Sequence, residues 1–312
     1  ITDWVLDRYF GQKAQYVKDT FLTHWHDDMY LMREGFKTQR EVEAYFNAKG
    51  TLSEDDINMR DTLYSLISNV LFLRDHRNPD LVHPRISAQL DPCYETLWDH
   101  DKAAFNALYN DYFYRRNNQF WYEEAMKKLP RLVDATKMLV CAEDLGMVPA
   151  CVEWVMNQLR ILSLEIQSMP KDPKVPFGVL SNNPFLSVCT ISSHDTATLR
   201  MWWDEDWDRT QQYWNWSLGR YGAAPHPLSA DVATDIVRNH LYCPSMLCIL
   251  TLQDWLATDE NIRLADASKE RINIPANPKH YWRYRMHITL EQLIKQTDFN
   301  NSIRNMISQS RP

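Results

Sequence analysis

Glycine is in short supply, seven in 312 residues. None falls in a G-x-G-x-x-G or Walker-type spacing, which disfavours dinucleotide and P-loop chemistry, since those sites need glycine where backbone closes on phosphate. No run of 18 apolar residues occurs, so neither a spanning helix nor a membrane partner is expected. Lys and Arg form no cluster and the formal net charge is −7, which argues against a nucleic-acid partner, because binding a polyanion rests on clustered cations that release its counterions. Six cysteines (Cys93, Cys141, Cys151, Cys189, Cys243 and Cys248) make no C-x-x-C pair and lack the density of a small secreted scaffold. They read as reduced thiols, and the expected location is cytoplasmic. The first residues, Ile-Thr-Asp-Trp, have no basic stretch leading into an apolar one, so no signal peptide is expected and an internal start is.

What is present is ordinary in bulk: 45% apolar and 24% charged residues, the make-up of a globular protein long enough for one large domain or two ordinary ones. Twelve tryptophans and fifteen tyrosines supply much flat amphipathic surface, which carbohydrate sites use and cores use too.

Periodicity divides the chain near residue 135. From Asp3 to about Val70 apolar residues recur three or four apart, predicting helices, with Ser53 before Glu54-Asp55-Asp56 as an N-cap. Leu71-Phe-Leu-Arg74 suits a short strand or a helix end, 77–92 an irregular connection, and 102–128 a helix. Beyond 135 the rhythm becomes alternating apolar strands and helices. Strands are predicted at Met138–Ala142, Leu162–Ile166, Leu186–Ile191 and Met246–Leu252, with Pro149 opening a helix. Such units suggest a parallel sheet, but four runs are half of the eight that a closed barrel needs.

Two acidic clusters follow predicted strands, Glu143-Asp144 and His194-Asp195. Active sites of parallel α/β folds lie there, and the spacing is about two β/α units at roughly 25 to 30 residues each. Carboxylates so placed can converge on one sugar ring, where one protonates the leaving oxygen and another stabilises the oxocarbenium-like transition state. At the mouth of an apolar strand, Glu143 is expected to have the raised pKa of a general acid. The same pattern also suits acids that only cap the next helix. His24-Trp-His26-Asp27-Asp28 has a spacing that resembles two-metal hydrolases, but on a helix the two histidines would point apart, so no metal site is expected. Trp202-Trp203 suits a stacking platform or a core, and Arg271 to Arg285, rich in Asn, Arg and Trp282, suits a hydroxyl-gripping loop or a structural turn.

These motifs together resemble a known family. Ala142-Glu-Asp-Leu-Gly146, Ser193-His-Asp-Thr196, Leu252-Gln-Asp254 and Arg271-x-Asn273-x-Pro275 followed by Tyr281-Trp-Arg283 look like the ordered C-terminal motifs of the amylomaltases, 4-α-glucanotransferases. The finer match is to the plant-type cytosolic disproportionating enzymes and their bacterial relatives, through Glu143 to Val152, Arg200 to Asp206 and Asn277 to Arg285. The resemblance covers nearly the whole chain.

It implies a (β/α)8 TIM barrel that moves α-1,4-glucosyl units from maltose or malto-oligosaccharides to a glucan acceptor by a retaining double displacement. Glu143 maps to the acid/base and Asp195 to the transition-state stabiliser, with His194, Asp144, Asn273 and, more weakly, Gln253 binding substrate. Neither metal nor organic cofactor is implied. The family's nucleophile is the Asp of an R-x-D-H motif, and Arg74-Asp75-His76 lacks its spacer, which leaves the nucleophile in a missing N-terminal half upstream of Ile1. Residues 1–135 then match a helical insertion and 136–312 the C-terminal half of the barrel. Ser193 and Ala197 stand where many relatives have Thr and Asn. Partners implied are maltose, malto-oligosaccharide or glycogen-like glucan. A retaining α-glucoside hydrolase and a non-catalytic glucan-binding fragment are the alternatives.

Overall fold

Helices begin where the chain supplies its own caps. Thr2 accepts from the Val5 amide at the start of α1 (Asp3–Phe10), and Gly11, at φ +50°, ends it before α2 (Ala14–Phe21). The computed structural model describes all residues except Met147, Pro173 and Pro312, and the chain divides into units Ile1–Arg116 and Asn117–Pro312.

In the first unit α2 runs straight into an antiparallel hairpin, β1 (Leu22–His26) and β2 (Met29–Met32), turned at Asp27 with φ +47°. Then come α3 (Gln39–Asn47) and α4 (Glu54–Ser68), each opened by a capping box, Thr38 with Glu41 and the expected Ser53 with Asp56. A second hairpin, β3 (Phe72–Arg74) and β4 (Val82–Pro84), precedes α5 (Pro92–Glu95) and α6 (Asp99–Tyr114). The core centres on Phe21, which meets Phe36 and Tyr45 edge-on with centroids 5.0 and 5.4 Å away.

The first hairpin corrects the all-helical reading of this region. His24 and His26 lie on a strand, where alternate residues share a face, although a bulge interrupts the register between them. His24 Nε2 is 2.9 Å from the Asp27 carbonyl and His26 Nδ1 is 3.2 Å from its carboxylate, so both ring contacts close the turn.

The second unit opens with α7 (Asn118–Asp134), which packs on α8 (Ala150–Leu159). The division thus falls at Arg116, ahead of α7, while the sequence reading put it near 135. Next come β5 (Ser163–Ile166), β6 (Ser187–Thr190), α9 (Leu199–Glu205), α10 (Trp207–Trp216), α11 (Ala230–Leu241), β7 (Leu247–Cys248) and α12 (Leu252–Leu256). The last helices are α13 (Leu290–Ile294) and α14 (Thr297–Ser310). β5, β6 and β7 form a parallel sheet in that order, Ser163 pairing with Ser187 and Cys189 with Cys248.

The expected strand at Met138–Ala142 is reduced to a single parallel bridge, Cys141 to Leu162. Leu162 N donates to the Val140 carbonyl at 2.9 Å and Ala142 N to the Leu162 carbonyl at 2.8 Å, while Met138 and Leu139 stay exposed. The architecture is α/β, and among the described residues the sheet does not close into a barrel.

Two buried features hold the second unit together. Trp203 is fully buried and donates its indole N–H to the Pro225 carbonyl at 2.7 Å, against Tyr213, Leu228 and Ile236. Arg200, on α9, meets Glu270, in the 3-10 turn Ala267–Glu270, at 2.5 Å with both side chains buried. Removing one partner of such a pair strands a buried charge, so Arg200→Met is expected to cost about 3–5 kcal/mol in urea unfolding; a loss below about 1 kcal/mol would mean that solvent reaches the pair.

His240 on α11 is buried, and its Nδ1 lies 2.8 Å from the Ile236 carbonyl. Burial pulls its pKa from 6.5 to about 4. The folded state therefore refuses a proton that the unfolded chain accepts, and stability should fall as pH drops from 6.5 toward 4, by on the order of 3 kcal/mol. Urea midpoints at pH 7 and pH 4.5 should differ less for His240→Leu than for the unsubstituted chain; equal differences would discount His240 as the source.

Candidate active site at the carboxyl ends of the strands

Glu143 and Asp144 follow the bridged segment, in a loop that turns at Gly146 with φ +81°, a backbone conformation that a side chain would strain. Asp144 is turned inward. One carboxylate oxygen accepts from the Leu164 amide at 2.8 Å and the other meets Lys171 Nζ at 2.7 Å. The same ammonium reaches Glu165 at 2.7 Å, and Ser163 Oγ donates to that carboxylate at 2.8 Å. Asp144 thereby ties the loop to β5. Glu143, its neighbour, is exposed and lines a pocket of about 570 Å³ whose other walls are mostly apolar, Trp121, Leu129, Val148, Val152 and Val155 among them. Glu143 thus faces an apolar wall on the pocket side, and its side chain stays open to solvent.

After β6 the chain coils through Ser192 to Thr196. Ser193 N donates to Thr196 Oγ1 at 2.8 Å, and Asp195 N to Ser193 Oγ at 3.3 Å. Beneath the coil Asp254, fully buried, accepts from the Ser192 hydroxyl and from the Leu199 amide at 2.9 Å, and burial pushes its pKa up. Asp195 itself is half exposed. Asn273 Nδ2 donates to its Oδ1 at 2.6 Å, and His194 Nε2 is 3.0 Å from its Oδ2. The His194 ring lies against Trp282, with centroids 4.8 Å apart and planes at 40°.

Asn273 arrives from 78 residues away because its loop is clamped at several points. Glu270 is held by Arg200 and accepts from Thr198 Oγ1 at 3.1 Å. Arg271 bridges the Asn273 carbonyl at 2.9 Å and Glu205 at 3.2 Å, and His280 Nε2 is 3.0 Å from the Ile272 carbonyl. Gln253 belongs to this clamp: it is buried, and its amide donates to the Glu270 carbonyl at 3.1 Å.

His194, Asp195 and Asn273 are thus brought together with the exposed Trp282, while Asp144 and Gln253 are engaged in holding backbone. Of the two tryptophans weighed as a stacking platform, Trp203 is core, and Trp202 is half-buried under Arg209 and against Phe177. Lys171 escaped the sequence reading, because a lone lysine in a loop carries no spacing signal. Asp75, in the first unit, accepts from the Arg77 and Asn78 amides at 2.7 and 2.9 Å and from His83 at 2.8 Å. The His83 contact, then the two amides, lowers its pKa to about 2, and those contacts organise the β3–β4 turn. Among the described residues no group of three His, Cys, Asp or Glu side chains is placed to hold a metal ion, and no helix is long and apolar enough to cross a membrane.

The family model for 4-α-glucanotransferases matches residues 17–290. The chain belongs to that family. It is 34% identical over 98% of its length to the 4-alpha-glucanotransferase DPE2 of Oryza sativa subsp. japonica, of which it covers 33%. It is 28% identical over 57% of its length to a 4-alpha-glucanotransferase of Chlamydia muridarum, covering 34% of that protein. The chain therefore spans about a third of the length of these curated relatives. Among solved structures, amylomaltase from Streptococcus agalactiae in complex with acarbose aligns with 97% of this chain and 71% of its own, at 13% identity and a TM-score of 0.44.

Replacing Lys171 by Met would leave Asp144 and Glu165 facing each other without their shared cation. Amide exchange of residues 141–146 should then accelerate by about tenfold or more, as expected when a charge-assisted contact of roughly 1.5–3 kcal/mol is lost, with β6 unaffected. Unchanged exchange in 141–146 would mean that the Leu164 amide alone holds the loop.

Proposed function

We propose that the protein containing this chain is a 4-α-glucanotransferase that moves α-1,4-glucosyl units from maltose or a malto-oligosaccharide to a glucan acceptor, glycogen-like glucans included, by a retaining double displacement. The observation that carries this reading is the meeting of Asp195, Asn273, His194 and Trp282 past β6, two strand positions from Glu143. Neighbouring strands lie about 4.8 Å apart, so the strand positions behind Glu143 and Asp195 are separated by roughly 10 Å, the scale of one or two sugar rings.

In this scheme Glu143 protonates the glycosidic oxygen as the bond breaks, then withdraws a proton from the acceptor hydroxyl in the second displacement. Asp195, its carboxylate oriented by Asn273 and His194, accepts hydrogen bonds from ring hydroxyls that strengthen as positive charge develops at the anomeric carbon. Trp282 offers the flat face on which a pyranose stacks. Asp144 acts as a positioning residue, setting the loop from which Glu143 extends. No metal or organic cofactor enters. The nucleophile is assigned to residues outside this chain, and with it the rest of a (β/α)8 barrel whose C-terminal part these parallel units would form, with the helical first unit inserted ahead of them. The free cysteines accord with a cytosolic protein.

The test is maltose disproportionation, followed as glucose release, with the full-length protein and with this chain alone. The full-length protein should be active and this chain inactive. Glu143→Gln should lower kcat by about 10²–10⁴, and Asp195→Asn by about 10²–10³. Turnover by the chain alone would put a nucleophile within these residues, and a Glu143→Gln variant of undiminished activity would remove Glu143 from the chemistry.

A further inference from the structure

His240 is fully buried on α11, and only one of its ring nitrogens has a protein partner. Nδ1 lies 2.8 Å from the Ile236 carbonyl, and a carbonyl can only accept, so Nδ1 carries the ring proton. Burial holds the ring neutral at neutral pH, which leaves Nε2 with its lone pair. Among the described residues nothing donates to that lone pair. A buried acceptor without a donor is unfavourable, and folded interiors ordinarily satisfy such an atom with a protein group or an ordered water.

The ring borders a cavity of about 20 Å³. One water molecule needs roughly 10–15 Å³ of such space, so there is room for a single water and for no sugar. Gln167, Ser168 and Tyr213 line the same cavity. Tyr213 Oη donates to Gln167 Oε1 at 2.6 Å and keeps lone pairs of its own. Gln167 Nε2 donates one N–H to the Gly178 carbonyl at 3.2 Å and has a second. The lining thus supplies the two to four polar partners that an interior water takes. No carboxylate borders the cavity, so a cation would meet no countercharge, and a neutral imidazole offers none to an anion.

We propose that this cavity is a binding site for one water molecule, which donates to His240 Nε2 and bridges it to the Gln167–Tyr213 pair. The second O–H of the water has the Tyr213 oxygen as an acceptor, and the water oxygen accepts from the second Gln167 N–H or from the Ser168 hydroxyl. One molecule then joins three segments, since Gln167 and Ser168 follow β5, Tyr213 is on α10 and His240 is on α11. Ile191 and Ala197 also line the cavity, and they stand on either side of the coil that carries Asp195. The bridge therefore lies beside the base of that coil and ties the helices around it to the end of β5.

The test is a crystal structure of the full-length protein, grown at neutral pH and at a resolution that shows ordered water. One water peak should stand about 2.7–3.2 Å from His240 Nε2, within hydrogen-bond reach of Gln167 or Tyr213. The peak should persist in His240→Gln, whose Oε1 can stand in for Nε2, and be lost in His240→Leu, which has no acceptor. If His240→Leu does not fold, the unsubstituted protein and His240→Gln decide the question between them. A cavity without density in the unsubstituted protein would show that it is dry. A peak with contacts of about 2.0–2.2 Å would mark a metal ion. An undiminished peak in His240→Leu would show that other groups hold the water. Each of these three results would overturn the proposal.

Discussion

Arg200 and Glu270 are 70 residues apart in the chain and meet with both side chains buried, and the surface at the end of β6 depends on that contact. The guanidinium also reaches the Leu264 carbonyl, while Glu270 receives Thr198. The pair thus joins the start of α9 to the end of the 3-10 turn, and Asn273 leaves that turn three residues later, already aimed at Asp195. Burying two charges is costly, so a pair so placed is weak evidence for stability in itself. Its physical sense is directional, because few alternative arrangements satisfy both ions at once.

The two acidic clusters are supported in opposite ways. Past the bridged segment, the carboxylate that is held is Asp144, with Lys171 and the β5 backbone as its partners, and Glu143 is left to extend. Past β6, the carboxylate that is held is Asp195 itself, by a side-chain amide and a histidine, with a buried aspartate fixing the coil beneath. In the proposed scheme, a group that gives and takes a proton gains from freedom to move between two oxygens. One that must lie along hydroxyls gains from a fixed orientation.

Where one residue's neighbours in sequence are also its neighbours in space, pattern was enough to read structure. The Ser53 cap, the helix behind Pro149 and the strands near 162–166 and 186–191 depend on local periodicity and turn chemistry, and each formed within a residue or so. The β1–β2 hairpin was missed because α2 passes into it with no breaker, and Asp27-Asp28 is a faint turn signal against an apolar helical period. The helix read through 102–128 is two, α6 and α7, broken at residues 115–117 without glycine or proline to announce it. Met138–Ala142 read as a buried strand from its apolar run, yet within this chain only its last residues find a partner.

By itself the sequence determined the family, because motif order and residue type survive without coordinates, and it marked Glu143, His194, Asp195 and Asn273 as the candidates for chemistry. The tertiary structure alone decided which carboxylate faces outward and which is tied down, that Gln253 supports rather than contacts the site, that Trp282 and not Trp203 offers an exposed ring, and that Cys189 and Cys248 sit side by side on neighbouring strands. Each of those depends on a partner tens of residues away. Spacing along a chain cannot encode the direction in which a side chain points once strands and loops from distant segments pack together.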